Sequence, residues 1–339
     1  MAENLSPSKL RSVPIHHIPL SSVEYCPTSE LHADEAPVRR VPGTMHTTKH
    51  SSASTLKRVL VEWRPPVSSK KSISETNLRL NQLVQMLQHM ASWREPAGGG
   101  LDFGALRCVG WMSGDPAKLG DTGLVYEFPD NCASNTPESL IDWINKVYAK
   151  ARTNRTEQRK ALPSLSDRLA LAVRLGQIYG SLLAVGCLHR SLCSHNILLF
   201  DTKASSAYLA GYTSARSEHM INITNSVDGN SAVLDLYRTG DASAPISSVR
   251  AEVYALGIVF LEIGLWRTAE SIKGGASLSQ YHAEVVCRKV DQVAHWAGSI
   301  YQQVIRDCLS LSIPDSGDIR DAVAWYTKNV VERFSLCRA

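Results

Sequence analysis

The run Val253–Trp266 constrains this chain more than any other segment. It is fourteen residues long and apolar on every side of a helix, broken only by Glu262. A bilayer-spanning helix needs about 20 apolar residues, so this run reads as a buried core helix, and a helix apolar all round must be wrapped by other elements. The rest of the chain can supply the wrapping. Its 339 residues are 44% hydrophobic and 20% charged, enough for one large domain or two lobes with their own cores and too apolar for a wholly disordered chain. The 36 basic and 32 acidic side chains leave a net charge of +4, too small to point to nucleic acid or an anionic membrane.

The eight cysteines include no C-x-x-C pair, which argues against a zinc ribbon or a thioredoxin-type site. Several lie in apolar runs such as Val185-Gly186-Cys187-Leu188, and buried free thiols of a reducing compartment are the expectation. Met1–Pro7 has no apolar core of signal-peptide type. The expected protein is soluble, intracellular and cytoplasmic.

Residues 1–55 read as a flexible or loosely ordered arm, with short pieces at 13–15 and 38–41 that suit strands. The arm holds five of the eleven histidines, but His16, His17, His32, His46 and His50 lack metal-site spacing and a supporting cysteine. Order begins at Leu56. Arg58–Trp63 reads as a strand stopped by Pro65-Pro66. Leu80, Leu83, Leu87 and Met90 give a helix over 74–90. Leu106–Met112 and Gly123–Phe128 read as two further strands. From Thr136 the chain turns helical. A helix is expected over 137–149, then a charged connector over 150–160. Ser164-Leu165-Ser166-Asp167 caps a long helix with Leu171, Leu175, Ile178 and Leu182 on one face. Asn196–Phe200 and Ala207–Ala210 read as short strands. Residues 217–234 form a polar stretch with Ser and Thr that suits a loop or a phosphorylated switch. Glu252 opens the core helix, and more helices follow to Val331. The fold class is α+β.

The sharpest local signal is Leu188-His189-Arg190-Ser191-Leu192-Cys193-Ser194-His195-Asn196-Ile197-Leu198-Leu199. It resembles the protein-kinase catalytic loop, H-R-D-L-x-x-x-x-N followed by a strand. Gly211-Tyr212-Thr213-Ser214-Ala215-Arg216 lies where a kinase has D-F-G-x-A-R. Glu252–Ile263 is similar to the helix D-V-x-S-x-G-V-x-L-x-E-I. Tyr126-Glu127-Phe128 resembles the gatekeeper and hinge, and Val59-Leu60-Val61-Glu62 the strand ending V-A-x-K. The likeness covers roughly 56–335. It implies a two-lobed kinase-like fold, with a β-rich N-lobe over 56–130 and a helical C-lobe over 131–335. More narrowly, Val61–Arg64, Leu124–Pro129, Asp235–Arg238 and Leu261–Trp266 resemble kinase-like proteins of filamentous fungi, which often carry a helical incompatibility-type domain.

Where the chain departs from the kinase pattern, it departs at the charged positions. Ser191 replaces the catalytic Asp; loss of a positioned base typically costs about 10²–10⁴-fold in rate. Cys193 replaces the usual Lys toward the γ-phosphate. Gly211 replaces the magnesium-binding Asp, which leaves Asn196 as one neutral ligand for a hard ion that wants carboxylate oxygens. Glu62 replaces the phosphate-binding Lys, and Lys57, Arg64 and Lys70 are the nearby cations that could substitute for it. The first 55 residues offer a single glycine, Gly43, and no G-x-G-x-x-G phosphate nest. Glu62 is expected to pair with Arg79 on the following helix. His189, Arg190, Tyr212 and Glu252 keep bracing roles: Glu252 to hold the loop backbone, Tyr212 to pack as the Phe of D-F-G does. Ser191, Cys193 and His195 could suggest a nucleophile and base, but no orienting acid accompanies them.

The resemblance therefore implies a pseudokinase: a kinase-like scaffold or regulatory binding module with a protein partner, no catalytic residue intact, no metal and no cofactor. The alternative is a divergent kinase that binds ATP and magnesium through Asn196 and the hinge at Glu127 and Phe128 and phosphorylates Ser or Thr.

Overall fold

The computed structural model describes residues 16–25, 39–48, 54–64, 73–93, 101–113, 122–130, 132, 136–153, 156, 161–201, 207–212, 216–217, 232–240, 248–314 and 318–337. The expected strand at 13–15, residues 218–231 of the polar stretch, and most of the 150–160 connector lie outside them. The chain is α+β and divides into two compact units. One comprises Met1–Ala33, Val38–Ser92 and Leu106–Asp130; the other comprises Asp34–Pro37, Trp93–Ala105 and Asn131–Ala339. No helix among the described residues is long and apolar enough to cross a membrane.

The first unit is a curled antiparallel sheet with one helix. Its strands are β1 (Val23–Tyr25), β2 (Arg39–Thr48), β3 (Ser54–Arg64), β4 (Cys108–Ser113) and β5 (Thr122–Glu127), in the order β1-β2-β3-β5-β4. Helix α1 spans Ile73–Ser92. Residues directly opposite across antiparallel strands share a face. One face therefore carries Met45, Val59, Val61, Met112 and Val125, which form a buried cluster with Val23; Ile18, Trp63 and Val109 pack against it. The other face carries Arg40, Leu60, Glu62, Leu124, Tyr126 and Trp111, and α1 reaches it where the carboxamide oxygen of Asn81 accepts from Trp111 Nε1, at 2.8 Å.

The amino-terminal stretch is more ordered than its composition suggests. β2 pairs with β3 in unbroken register from Arg39↔Trp63 to Thr48↔Ser54, so residues 39–48 are a core strand of the sheet rather than part of an arm. Val41 and Met45 are buried, but Pro42, Gly43 and Thr44 between them blunt the apolar alternation that marks a strand. Residues 16–25 touch both edges of the sheet. His16–Ile18 runs parallel to the outer edge of β4, with Ile18 N–H donating to Trp111 O at 2.7 Å and Trp111 N–H donating to His16 O at 2.9 Å. After a 3₁₀ turn at Leu20–Ser22, the same segment becomes β1 and pairs with β2.

The second unit is mainly helical. Its elements are β6 (Glu138–Ser139), α2 (Leu140–Thr153), α3 (Leu165–Ala184), β7 (Cys187–Leu188), β8 (Ile197–Leu199), β9 (Ala207–Leu209), β10 (Arg216–Ser217), α4 (Ala232–Asp235), α5 (Val249–Leu265) and α6 (Ala269–Lys273). Then come α7 (Leu278–Gln280), a π-helical turn Tyr281–Val285, α8 (Val286–Ala297), α9 (Ser299–Leu309), α10 (Ile319–Tyr326), a second π turn Thr327–Val331 and α11 (Glu332–Ser335). Ser164 caps α3, its Oγ accepting from Asp167 N–H. The apolar run is α5, buried from Glu252 to Gly264 and packed by α3, α8 and α9. It starts three residues before Glu252, because the hydroxyl of Ser248 accepts from Ala251 N–H and sets the N-cap there. Gly257 and Gly264 allow the close crossing of α5 and α9. A Cβ on Gly257 would meet Cys308 Cβ at 2.9 Å, and one on Gly264 would meet the Tyr301 ring at the same distance.

A chain that begins at Ser54 lacks β1, β2 and the segment on β4. β3 then has an open edge, and Val59, Val61 and Met112 lose their cover. Such a chain is expected to bind a hydrophobic dye and to lose protection from hydrogen exchange in β3–β5, while α5 keeps its protection. Native-like exchange in β3–β5 would show that residues 1–53 are dispensable to the sheet.

Candidate functional site

The loop His189–Asn196 is built by the elements on either side of it. α3 ends at Ala184, and Gly186 takes a left-handed turn, φ +66°, into β7. Arg190 is left-handed as well, φ +65°, which for a residue with a Cβ costs about 1–2 kcal/mol. Glu252 on the first turn of α5 offsets that strain. Its carboxylate accepts from His189 N–H at 2.8 Å with one oxygen and from Arg190 N–H with the other. Burial raises the Glu252 carboxyl from an ordinary 4.5 to about 7; the two backbone donors and the Arg190 charge pull the other way.

His189 is fully buried and bonded at both ring nitrogens. Nε2 lies 2.9 Å from Ala210 O, and Nδ1 lies 3.3 Å from Ser191 N–H. A carbonyl only accepts and a peptide N–H only donates, so the ring is neutral with its proton on Nε2. Its edge meets the Tyr212 ring, centroids 4.7 Å apart. Tyr212 is buried and donates to Phe103 O at 2.7 Å. His189 thus ties the loop to the backbone of residue 210, and Tyr212 ties the next residues to 103.

Asn196 and Gly211 fit each other. Asn196 is buried, its Nδ2 donates to Ser191 O at 2.7 Å, and its own carbonyl accepts from Ala210 N–H at 2.8 Å. Gly211 has φ +80°, and a Cβ there would lie 2.7 Å from both Cγ and Nδ2 of Asn196. The carboxamide fills the space that any side chain at 211, an aspartate included, would enter. Cys193 is buried in extended backbone, and Ser191 is half-buried. The loop therefore presents a hydroxyl and a thiol where the pattern it resembles has charge. Among the described residues no group of three or more His, Cys, Asp or Glu could hold a metal ion.

Two parts of this unit escaped the sequence reading. Asp102 accepts from Gly104 N–H at 2.8 Å and pairs with Arg174 on α3 at 2.5 Å. Gly104, φ +57°, brings its carbonyl to Leu209 N–H at 2.8 Å, and a Cβ there would strike Ile178 at 2.4 Å. The second part is the environment of Glu262. One oxygen accepts from Ala269 N–H at 2.7 Å, Tyr237 OH at 2.9 Å and Ser194 Oγ at 3.4 Å. The other is buried with no hydrogen-bond partner among the described residues. Burial, opposed by those three donors, lifts the carboxyl from 4.5 to about 8, so it is protonated at neutral pH. The lone charge in the apolar run was the available signal; its partners lie 68, 25 and 7 residues away in sequence.

In the sheet unit, Glu62 is fully buried and pairs with Arg40, its directly opposite neighbour on β2. Nε and an Nη of the guanidinium both lie 2.9 Å from one carboxylate oxygen. This replaces the expected partner Arg79, which is exposed on α1. The strand-like piece at 38–41 carries Arg40, but nothing in the sequence pairs it with the strand of Glu62. The Cys108 thiol is pushed up to about 12, chiefly by burial and in part by the nearby Glu62 charge. Lys57 does not substitute near Glu62: it pairs with Glu127 at 2.5 Å, and Arg107 approaches the other Glu127 oxygen at 3.4 Å. The side chains of Arg64 and Lys70 lie outside the described residues. The stretch after β5 has its amides engaged. Glu127 N–H donates to Arg107 O at 2.9 Å, Phe128 N–H donates to Arg58 O at 3.0 Å, and Pro129 has no N–H. The Arg58 guanidinium lies over the Phe128 ring, 5.4 Å from its centroid.

Two predictions follow from these buried carboxyls. Arg40→Leu leaves Glu62 buried without its cation and is expected to destabilise the sheet unit by about 3–5 kcal/mol, whereas Arg40→Leu with Glu62→Leu recovers most of the loss. Urea unfolding followed at the sheet tryptophans measures both, and equal loss in single and double variants would refute the pairing. Glu262 acts through its proton. The folded chain keeps that proton where the unfolded chain has released it, so Glu262 makes stability fall as pH rises from about 4.5 to about 8, with no further change above. Glu252 adds a similar fall that ends near pH 7. Glu262→Gln removes the first contribution. The variant should gain on the parent from pH 5 to pH 8, with the gain between 7 and 8 assigned to Glu262 alone. A constant difference across that range in melting temperature would mean that Glu262 is ionised in the fold.

No protein-family model matches this chain, and a search of curated proteins found no match.

Proposed function

We propose that this chain is a degenerate protein-kinase-like protein, a pseudokinase that works as a scaffold or regulatory binding module and does not transfer phosphate. The observation that carries the reading is the Asn196–Gly211 fit. The resemblance puts the two magnesium ligands at these positions, and here one carboxamide fills the space and donates to Ser191 O. Phosphoryl transfer rests on positioned charge, and this loop has no carboxylate to position.

Other geometry supports the same reading. Glu252 holds the backbone of the His-Arg-Ser loop, the bracing role the resemblance gives it. Glu62 stands where a phosphate-binding lysine belongs, and it is paired with the Arg40 guanidinium. Between β1 and β2, residues 26–38 contain no glycine and carry Glu30, Asp34 and Glu35, the opposite of a backbone nest for phosphate. The hinge-like stretch offers no free peptide N–H at 127, 128 or 129 to a purine. The narrower likeness to kinase-like proteins of filamentous fungi supports a partner in a signalling or incompatibility system.

The test is thermal unfolding with ATP and MgCl₂. A ligand at a hundred times its Kd stabilises by about 2.7 kcal/mol, a rise of several degrees. The expected result is an unchanged melting temperature at millimolar ATP, with or without magnesium. A magnesium-dependent rise abolished by Asn196→Ala would overturn the reading in favour of a divergent nucleotide-binding kinase.

A further inference from the structure

The segment His16–Tyr25 joins three parts of the sheet unit that sequence keeps far apart. Its first residues lie on the outer edge of β4, its last residues are β1, and Ile18 and Val23 are the side chains by which it enters the apolar cluster with Met45, Val59, Val61, Met112 and Val125. The segment also reaches α1. His16 N–H donates to Asn81 Oδ1 at 3.0 Å, the same oxygen that accepts from Trp111 Nε1 at 2.8 Å. Asn81 is buried on α1, and Trp111 sits on β4. One carboxamide oxygen, carried by the helix, is thus the common acceptor for the segment and for the strand beside it.

Gly110 shows that the sequence is fitted to this docking. Its backbone needs no left-handed conformation. A Cβ there would lie 2.3 Å from His16 O and 2.8 Å from two carbons of Ile18. A glycine in the middle of a strand weakens it and often marks the close approach of another backbone; here that backbone is residues 16–18. His17 packs its ring against the Trp111 ring, centroids 4.6 Å apart, beside the shared acceptor.

We propose that His16–Tyr25 is a conformational lock on α1: docked on β4, it holds the helix on the sheet through Asn81, and its withdrawal frees the helix. The two β4 hydrogen bonds, the Asn81 bond and the burial of Ile18 and Val23 form or break together, because one ten-residue segment carries them all. Coupling of this kind is reciprocal, so loosening α1 must also loosen the segment. The lock needs neither nucleotide nor a kinase-like activity, and it stands or falls independently of the proposed function.

Hydrogen exchange read by mass spectrometry on the full chain tests it with three variants. Gly110→Val drives a side chain into His16 O. His16→Pro removes the donor to Asn81 and leaves the Trp111 bond intact. Asn81→Leu removes the shared acceptor from the helix side. Each is expected to speed exchange in both 16–25 and 73–92 by roughly fivefold or more, the effect of one net hydrogen bond, with α5 unchanged. If His16→Pro speeds exchange in 16–25 while α1 keeps its parent rate, there is no lock. If Asn81→Leu changes α1 alone, the coupling is not reciprocal and the proposal fails. Should Gly110→Val not fold, the other two variants decide.

Discussion

The second unit depends on a helix that has no polar face. α5 is buried almost throughout, so nothing on it can be solvated, and every polar atom it carries must be met by the protein. It carries two carboxyls, Glu252 and Glu262, ten residues apart and so about 15 Å along the axis. Each is bonded to peptide N–H groups or hydroxyls and not to a cation. Burial therefore raises both above the ordinary carboxylate range, and their geometry must come from donors that the chain positions. Glu252 fixes the loop 189–190. Glu262 gathers Ser194, Tyr237 and the first turn of α6. The two ends of one buried helix thereby set both ends of the 189–196 loop.

The sheet unit solves the same problem differently. Glu62 is as buried as Glu262, but it faces a guanidinium, with Arg40 opposite it in register. Removing two charges from water is offset only where the geometry is good and the partner is held. Here the β2–β3 ladder holds both backbones, so the pair forms without ordering a mobile side chain from a distant element. That explains why Arg40 and not Arg79 is the partner. Arg79 is on a helix and exposed, and bringing it to Glu62 would bury a second charge at the expense of its hydration.

Local signals in the sequence served well where partners are near. The Ser164 cap, the length of α3, the strands at 108–113 and 122–127 and the buried core helix follow from periodicity and capping chemistry over a few residues. The loop 189–196 stands out in the sequence because its residue order is distinctive, and the structure gives it the braced backbone held by Glu252. What stayed hidden depends on partners far off in sequence or on weak strands. Only the start of β2 is legible, at 38–41, because Pro42 and Gly43 interrupt its alternation; its pairing with β3, and with it the Arg40–Glu62 contact, is not. Asp102, Gly104 and Tyr237 look like ordinary loop residues until α3, β9 and α5 are placed around them.

Gly211 shows how closely the 189–196 loop is fitted to the chain that follows β9. An aspartate there would need room that Asn196 occupies, and Asn196 in turn is fixed by Ser191 O and by Ala210 N–H. Ala210 O receives the His189 ring, and His189 N–H is held by Glu252. Each contact is neutral or spreads one buried carboxyl over peptide donors. Adding a side chain at 211 alone would therefore oppose the packing. A Cβ at 211 meets the carboxamide at 2.7 Å, on a backbone at φ +80° where glycine, asparagine and aspartate are favoured over other residues. A side chain at 211 needs the Asn196 carboxamide to turn away from Ser191 O first, so residues 196 and 211 are set together and not one at a time.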